Sequence, residues 1–85
     1  MKEFSHTIND SNGIHARPAG LFVLKMQPFK SIVTVKRDEE RADGKKLFEL
    51  MKLRAKYGHS LLITAEGEDE DDAIEAAQAF LKVNL

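Results

Sequence analysis

Cysteine and tryptophan are absent from this chain of 85 residues, and proline occurs only twice. Without cysteine there can be no disulfide framework and no thiolate metal site. No apolar run approaches the length that spans a bilayer. The opening residues, Met1-Lys2-Glu3-Phe4-Ser5-His6, hold no apolar stretch of the secretory kind, so a cytoplasmic location is expected. Charge of neither sign dominates: 13 basic residues face 14 acidic ones, for a net charge of -1. Nothing there attracts nucleic acid or inserts into a membrane. A Gly-rich nucleotide loop, metal-ligand spacing and a paired-carboxylate arrangement are missing too, so neither metal nor cofactor is expected. A chain this short supports one domain, residues 1–85, with one modest core. A large buried pocket would not fit beside that core, which points function to the surface.

Hydrophobic patterning sets out the elements. Phe4, His6 and Ile8 alternate with polar residues and read as a strand. The turn cluster Asn9-Asp10-Ser11-Asn12-Gly13 follows. Ala16-Arg17-Pro18-Ala19 opens a helical pattern, because Pro suits a helix start where its missing N–H has no partner, and Pro28 ends it. Ser31 to Val35 is rich in β-branched residues, and Arg37-Asp38-Glu39-Glu40 is its turn, without the Asn-Gly signature of a tight hairpin. A short strand is expected around Arg41-Ala42 and a helix from about Lys46 to Lys52. Ser60 to Ala65 is a strand too apolar for a bare edge. Asp69 is expected to cap a last helix with Ala73, Ile74, Ala77, Phe80 and Leu81 on one face. The order β-α-β-β-α-β-α implies an α+β fold with helices layered on one face of an antiparallel sheet.

The chemistry concentrates in Asn12-Gly13-Ile14-His15-Ala16-Arg17-Pro18-Ala19. A His sits just before a helix whose first N–H groups are unpaired and whose dipole places positive charge there. Such an end holds anions, and Arg17 adds a guanidinium suited to phosphate oxygens. The same positive end disfavours imidazolium and so favours the nucleophilic ring. The plainer reading makes His15 a neighbour of the cap and Arg17 a surface charge, and these residues alone leave both readings open.

Charge is also segregated. Lys45, Lys46, Lys52, Arg54 and Lys56 surround the single acid Glu49, whereas Glu66, Glu68, Asp69, Glu70, Asp71, Asp72 and Glu75 form a run without a cation. These are either two solvated faces or a basic docking surface and its opposite. Phe48 and Met51 fit either a core or an exposed apolar patch. The run Glu68 to Asp72 lacks the Gly and the later Glu of a calcium loop. His6 reads as a core or sheet-face residue and His59 as an exposed one.

Gly13-Ile14-His15-Ala16-Arg17-Pro18-Ala19 resembles the active-site signature of the HPr family, the histidine phosphocarriers of the bacterial phosphoenolpyruvate-dependent phosphotransferase system. Lys45-Lys46-Leu47-Phe48 falls where that family has its second helix, and Ala65-Glu66-Gly67-Glu68-Asp69-Glu70 resembles its passage into the last helix. The resemblance implies an open-faced β-sandwich, a four-stranded antiparallel sheet covered on one face by three helices. It implies that His15 accepts a phosphoryl group on Nδ1 from enzyme I and passes it to IIA proteins or domains. Arg17 and the amides of Ala16 and Arg17 would hold the phosphate. Lys45, Lys46, Leu47, Phe48, Met51 and Lys52 would form the docking surface. The protein would be a monomeric relay with no substrate turnover of its own. Lys46 stands where many members carry a regulatory Ser, so kinase control there is expected to be absent. Leu24, Gln27 and Glu49 also depart from residues that are often basic in the family. A regulatory docking module of the same fold and a nitrogen-branch relay remain alternatives.

Overall fold

The computed structural model describes all 85 residues as β1 (Lys2–Thr7), α1 (Ala16–Met26), β2 (Ile32–Arg37), β3 (Glu40–Asp43), α2 (Leu47–Lys52), β4 (Ser60–Glu66) and α3 (Glu70–Asn84). The strands form one sheet in the order β1-β4-β2-β3, with every pairing antiparallel. Apolar β4 therefore lies inside the sheet, between β1 and β2. Register aligns Phe4 with Ile63, Ile63 with Val35, and Val35 with Ala42. That row shares one face, because side chains alternate along a strand and directly opposed residues point the same way.

All three helices contribute to the core beside this row. Ala19, Phe22 and Met26 recur at i, i+3 and i+7 along α1, while Ala73, Ala77 and Leu81 recur at i, i+4 and i+8 along α3. These spacings give each helix one buried stripe. All of these but Ala73 make one core with Leu50, Leu53, Leu61 and Ile63, and the tilted pair Phe22–Phe80, 5.7 Å between ring centroids, packs Phe80 against it. Burial stabilises the fold by about 1.5–3 kcal/mol for each large aliphatic side chain. The alternate residues of β2, Ile32, Thr34 and Lys36, are exposed or half-buried.

Two local readings change, at Pro18 and Asp69, and the turn expected at Arg37-Asp38-Glu39-Glu40 is found there. Pro18 is the third residue of α1 rather than its first, since the helix begins at Ala16. The whole first turn tolerates proline, because none of its N–H groups has an intrahelical acceptor. The β2–β3 connection is a tight two-residue hairpin, with Arg37 paired to Glu40 and Asp38 at φ +55°. Asp38 supplies the left-handed backbone that Asn-Gly would have supplied.

Asp69 makes no side-chain bond to its own helix. Its Oδ1 accepts from Ser31 N–H at 2.9 Å and Ser31 Oγ–H at 2.6 Å, and its Oδ2 accepts from Lys30 N–H at 2.8 Å. Three donors from the segment entering β2 outcompete one orphan amide of α3. The Ser31 hydroxyl, with the Lys30 and Ser31 amides, holds the Asp69 carboxyl down at about 2. Gly67 lets this junction close: its φ is +154°, and a Cβ there would lie 2.8 Å from Ser31 Cα.

Candidate functional site

His15 is the N-cap of α1, with extended backbone (φ −138°, ψ 172°) and no side-chain capping bond. Ala19 N–H donates to the His15 carbonyl at 3.1 Å. Pro18 has no N–H, so the amides of Ala16 and Arg17 are the free donors at this helix end. No acid occupies the first turn. Arg17 is exposed and has no carboxylate within ion-pair distance. Two amides, one dipole and one unpaired guanidinium thus stand beside a single imidazole.

The ring is oriented by a residue that motif reasoning left among the turn residues. Asp10 Oδ2 lies 3.4 Å from His15 Nε2, and Asp10 Oδ1 accepts from Asn12 N–H at 2.8 Å. The Asn12 amide, aided by the His15 ring, draws the Asp10 carboxyl below its ordinary value. An ionised carboxylate is only an acceptor. Nε2 must then be the donor, and in a neutral ring Nδ1 carries the lone pair. The 3.4 Å separation is long for a hydrogen bond, as such bonds commonly are before a reaction partner is engaged. The spacing Asp10-Ser11-Asn12-Gly13 is an Asx-turn signal. It could have revealed the turn, though not that the carboxylate reaches His15.

Backbone contacts brace the loop. Gly13 N–H donates to the Asp10 carbonyl at 2.9 Å, and Ile14 N–H donates to the Ala55 carbonyl at 2.9 Å. Gly13 adopts φ +66°, and a Cβ there would fall 2.5 Å from the Ala55 carbonyl oxygen. Only glycine fits both the backbone and the contact. Asn9 and Asp10 N–H both donate to the Leu85 carbonyl, at 2.6 and 3.2 Å. The result is an open depression of about 150 Å³ lined by Asp10, His15, Arg17, Pro18, Leu21 and Asn84. Leu21, counted as a helix residue in the sequence, is 44% exposed and gives the depression its apolar edge.

The expected docking residues do not behave alike. Near one end of the helix pair Ile14 meets Ala55, and near the other Gln27 Nε2 donates to the Lys45 carbonyl at 3.0 Å. Helix α2 therefore runs antiparallel to α1, with its end toward the His15 loop and its start far from it. Lys45 Nζ donates to the Phe29 carbonyl, and Lys46 pairs with Glu49 at 3.9 Å. Leu47 and Met51 are half-buried against the core. Phe48 is 79% exposed, and Lys52 is exposed without an ion-pair partner.

The other histidines lie elsewhere. His6 is half-buried opposite Leu61, and its Nε2 has no hydrogen-bond partner. His59, expected to be exposed, is half-buried because its Nδ1 accepts from Lys56 N–H at 2.9 Å within a turn. No helix is long and apolar enough to cross a membrane.

Comparison with known proteins gives the chain a family and its fold close relatives. The family model described as "PTS HPr component phosphorylation site" matches residues 2–83. The chain is 42% identical over 81 residues to the phosphocarrier protein HPr of Lysinibacillus sphaericus, covering 95% of this chain and 92% of that protein. Its fold superposes on HPr-C-His from Thermoanaerobacter tengcongensis with a TM-score of 0.93 and 34% identity, covering 99% of this chain and 94% of that one. A structure described as an HPr dimer from the same organism matches with a TM-score of 0.76 and 35% identity, covering 96% and 94%. Relatives of this fold thus include a dimer, so the expected monomer is not carried forward.

Proposed function

The chain belongs to the HPr family, the phosphocarriers of the phosphotransferase system, and from that premise we propose that His15 takes a phosphoryl group from enzyme I on Nδ1 and gives it to IIA proteins. The observation that carries this reading is the oriented ring. Nε2 faces Asp10, which leaves the lone pair on Nδ1 beside a helix start with free amides. Arg17, unpaired, and the amides of Ala16 and Arg17 hold the transferred oxygens. Phosphoryl transfer asks little else of the protein, because positioning and charge stabilisation carry most of it. Both partners are proteins, and the relay operates in the cytoplasm.

Exposed Phe48 supports docking through α2, since an apolar centre with a charged rim gives a transient interface both burial and steering. Lys52 is a free rim charge in this reading, and Leu47 and Met51 form its half-buried base. Lys45 and Lys46 must leave Phe29 and Glu49 to take part.

The test is incubation with phosphoenolpyruvate and enzyme I, followed by intact mass and peptide mapping. One acid-labile phosphate on His15 is the expected result. Failure to gain phosphate with active enzyme I would favour a docking module instead. Draining the phosphorylated protein with sugar-branch and nitrogen-branch IIA acceptors then separates the two relays.

A further inference from the structure

Asp10 has no role in the motif that places His15, yet it is the one side chain that touches the ring's far nitrogen. Its other oxygen is anchored by Asn12 N–H, and its own N–H is held by the Leu85 carbonyl. The carboxylate is therefore fixed at both ends of its short side chain, with one oxygen left for His15. We propose that Asp10 is a positioning residue for phosphoryl transfer: it keeps the ring proton on Nε2, so that Nδ1 is the reacting nitrogen, and it faces the charge that the ring gains. This rests on the phosphocarrier reading and deepens it.

The step balances without a proton moving. The Nδ1 lone pair forms the N–P bond as the bond from phosphorus to the donor breaks, and the donor keeps that electron pair. The ring becomes a phosphorylated imidazolium whose Nε2–H points at the Asp10 carboxylate. Onward transfer breaks the Nδ1–P bond and returns the pair to Nδ1, restoring the neutral Nε2–H ring. The carboxylate offsets positive charge at the stage where that charge exists, which is the form of electrostatic help that lowers a barrier.

Two substitutions distinguish this role from a turn-forming one. Asp10→Asn keeps an oxygen for Asn12 N–H, so it preserves the turn. Its amide then presents N–H to Nε2, which favours the opposite tautomer and puts the proton on Nδ1. Asp10→Ala removes the turn acceptor but leaves the ring to solvent. A residue that only shapes the loop gives transfer rates in the order parent, Asn, Ala. The tautomer role gives parent, Ala, Asn.

The experiment measures nitrogen-15 shifts of the neutral His15 ring and the rate of phosphate uptake from phosphorylated enzyme I, for the parent and both variants. In Asp10→Asn the Nε2–H to Nδ1–H ratio should fall about fivefold or more, the change expected for losing one ordinary net hydrogen bond. Uptake should be slower than in Asp10→Ala. An unchanged ratio, or Asp10→Asn matching or outpacing Asp10→Ala, overturns the proposal. If the parent itself gains no phosphate on His15 from active enzyme I, the phosphocarrier reading has failed, and this role falls with it.

Discussion

At the start of α3 the chain sets Glu70, Asp71 and Asp72 in the first turn, while the start of α1 carries no acid at all. The preceding residues differ in the same sense. Asp69 binds three donors of the Lys30–Ser31 segment, and Glu70 accepts from Gly67 N–H at 3.1 Å. His15 makes no capping bond, and Ala16 and Arg17 keep their amides free beside a cationic side chain. Acids complement a helix N-terminus and a cation there opposes it, by about 0.3–1 kcal/mol each when exposed. Neither helix end has a side-chain cap, but the dipole of α3 is complemented by the chain's own acids, whereas that of α1 is left for an incoming anion to complement. The difference separates a place that stabilises the fold from a place that gives up some stability to bind.

Replacing His15 with Ala should break the comparison most sharply on the functional side. Acid-labile phosphate from enzyme I should disappear, while thermal stability stays within about 0.5 kcal/mol of the parent, since the ring is half-exposed and its one side-chain contact, to Asp10, is long. Phosphate retained by this variant, seen by intact mass, would redirect attention to His6 or His59.

Making α1 resemble α3 is the next test. Arg17→Glu should slow phosphoryl uptake on the order of 10²-fold, as removal of one charge-stabilising donor does. It should also raise helix stability by about 0.3–1 kcal/mol. Activity and stability moving in opposite directions is the outcome to look for, in paired transfer assays and melts. A variant that lost both would mean that Arg17 supports the fold.

A smaller effect is expected at the docking surface. Phe48→Ala should cost about 1–2 kcal/mol in partner binding if the ring is a hot spot, mainly through faster dissociation. Reversing Lys46 and Lys52 to Glu should slow association, with the defect shrinking as salt shortens the reach of charge below about 8–10 Å. Stopped-flow transfer across a salt series reads both. Reversing Asp71 and Asp72 to Lys, at the other helix start, should leave transfer unchanged. Equal defects from both surfaces would erase the distinction between them.

Asp69→Asn should alter transfer least of all and should act on stability alone. The folded carboxyl titrates at about 2 against an ordinary 3.8, so its contribution is complete above 3.8 and is lost as pH falls through about 2. The variant should melt below the parent at neutral pH, and the gap should narrow between about pH 4 and pH 2. Melting curves across that range check the sign; a gap that widened on acidification would refute the assignment of Asp69 as the anchor.

Much of this was legible in the residues. Ala73, Ala77 and Leu81 announce one face of α3, and apolar Ser60 to Ala65 announces an inner strand. These patterns are local, and burial enforces them. The placement of His15 beside a helix start was legible for the same reason. Asp69 was read as a cap because it precedes a helix, yet its partners lie 38 and 39 residues away at Ser31 and Lys30. Lys45 looked like a free rim charge until the fold brought the Phe29 carbonyl to it. Asp10 was visible as a turn residue, but its reach to Nε2 depends on how the turn folds back. What escaped the sequence is the choice a polar side chain makes among partners that only the folded chain assembles.

The bracing of Gly13 and Ile14 against Ala55 bears on how long an encounter with a partner has to last. A loop that had to be ordered at each meeting would draw on the contact energy of that meeting, and only a larger, slower-parting interface could supply it. Here the ring, its supporting carboxylate and the helix amides are arranged before any partner arrives. Contact need only bring the phosphorylated centre of one protein into line with the accepting centre of the other. The same surface can then let go quickly and meet a different protein, which suits a courier more than a host.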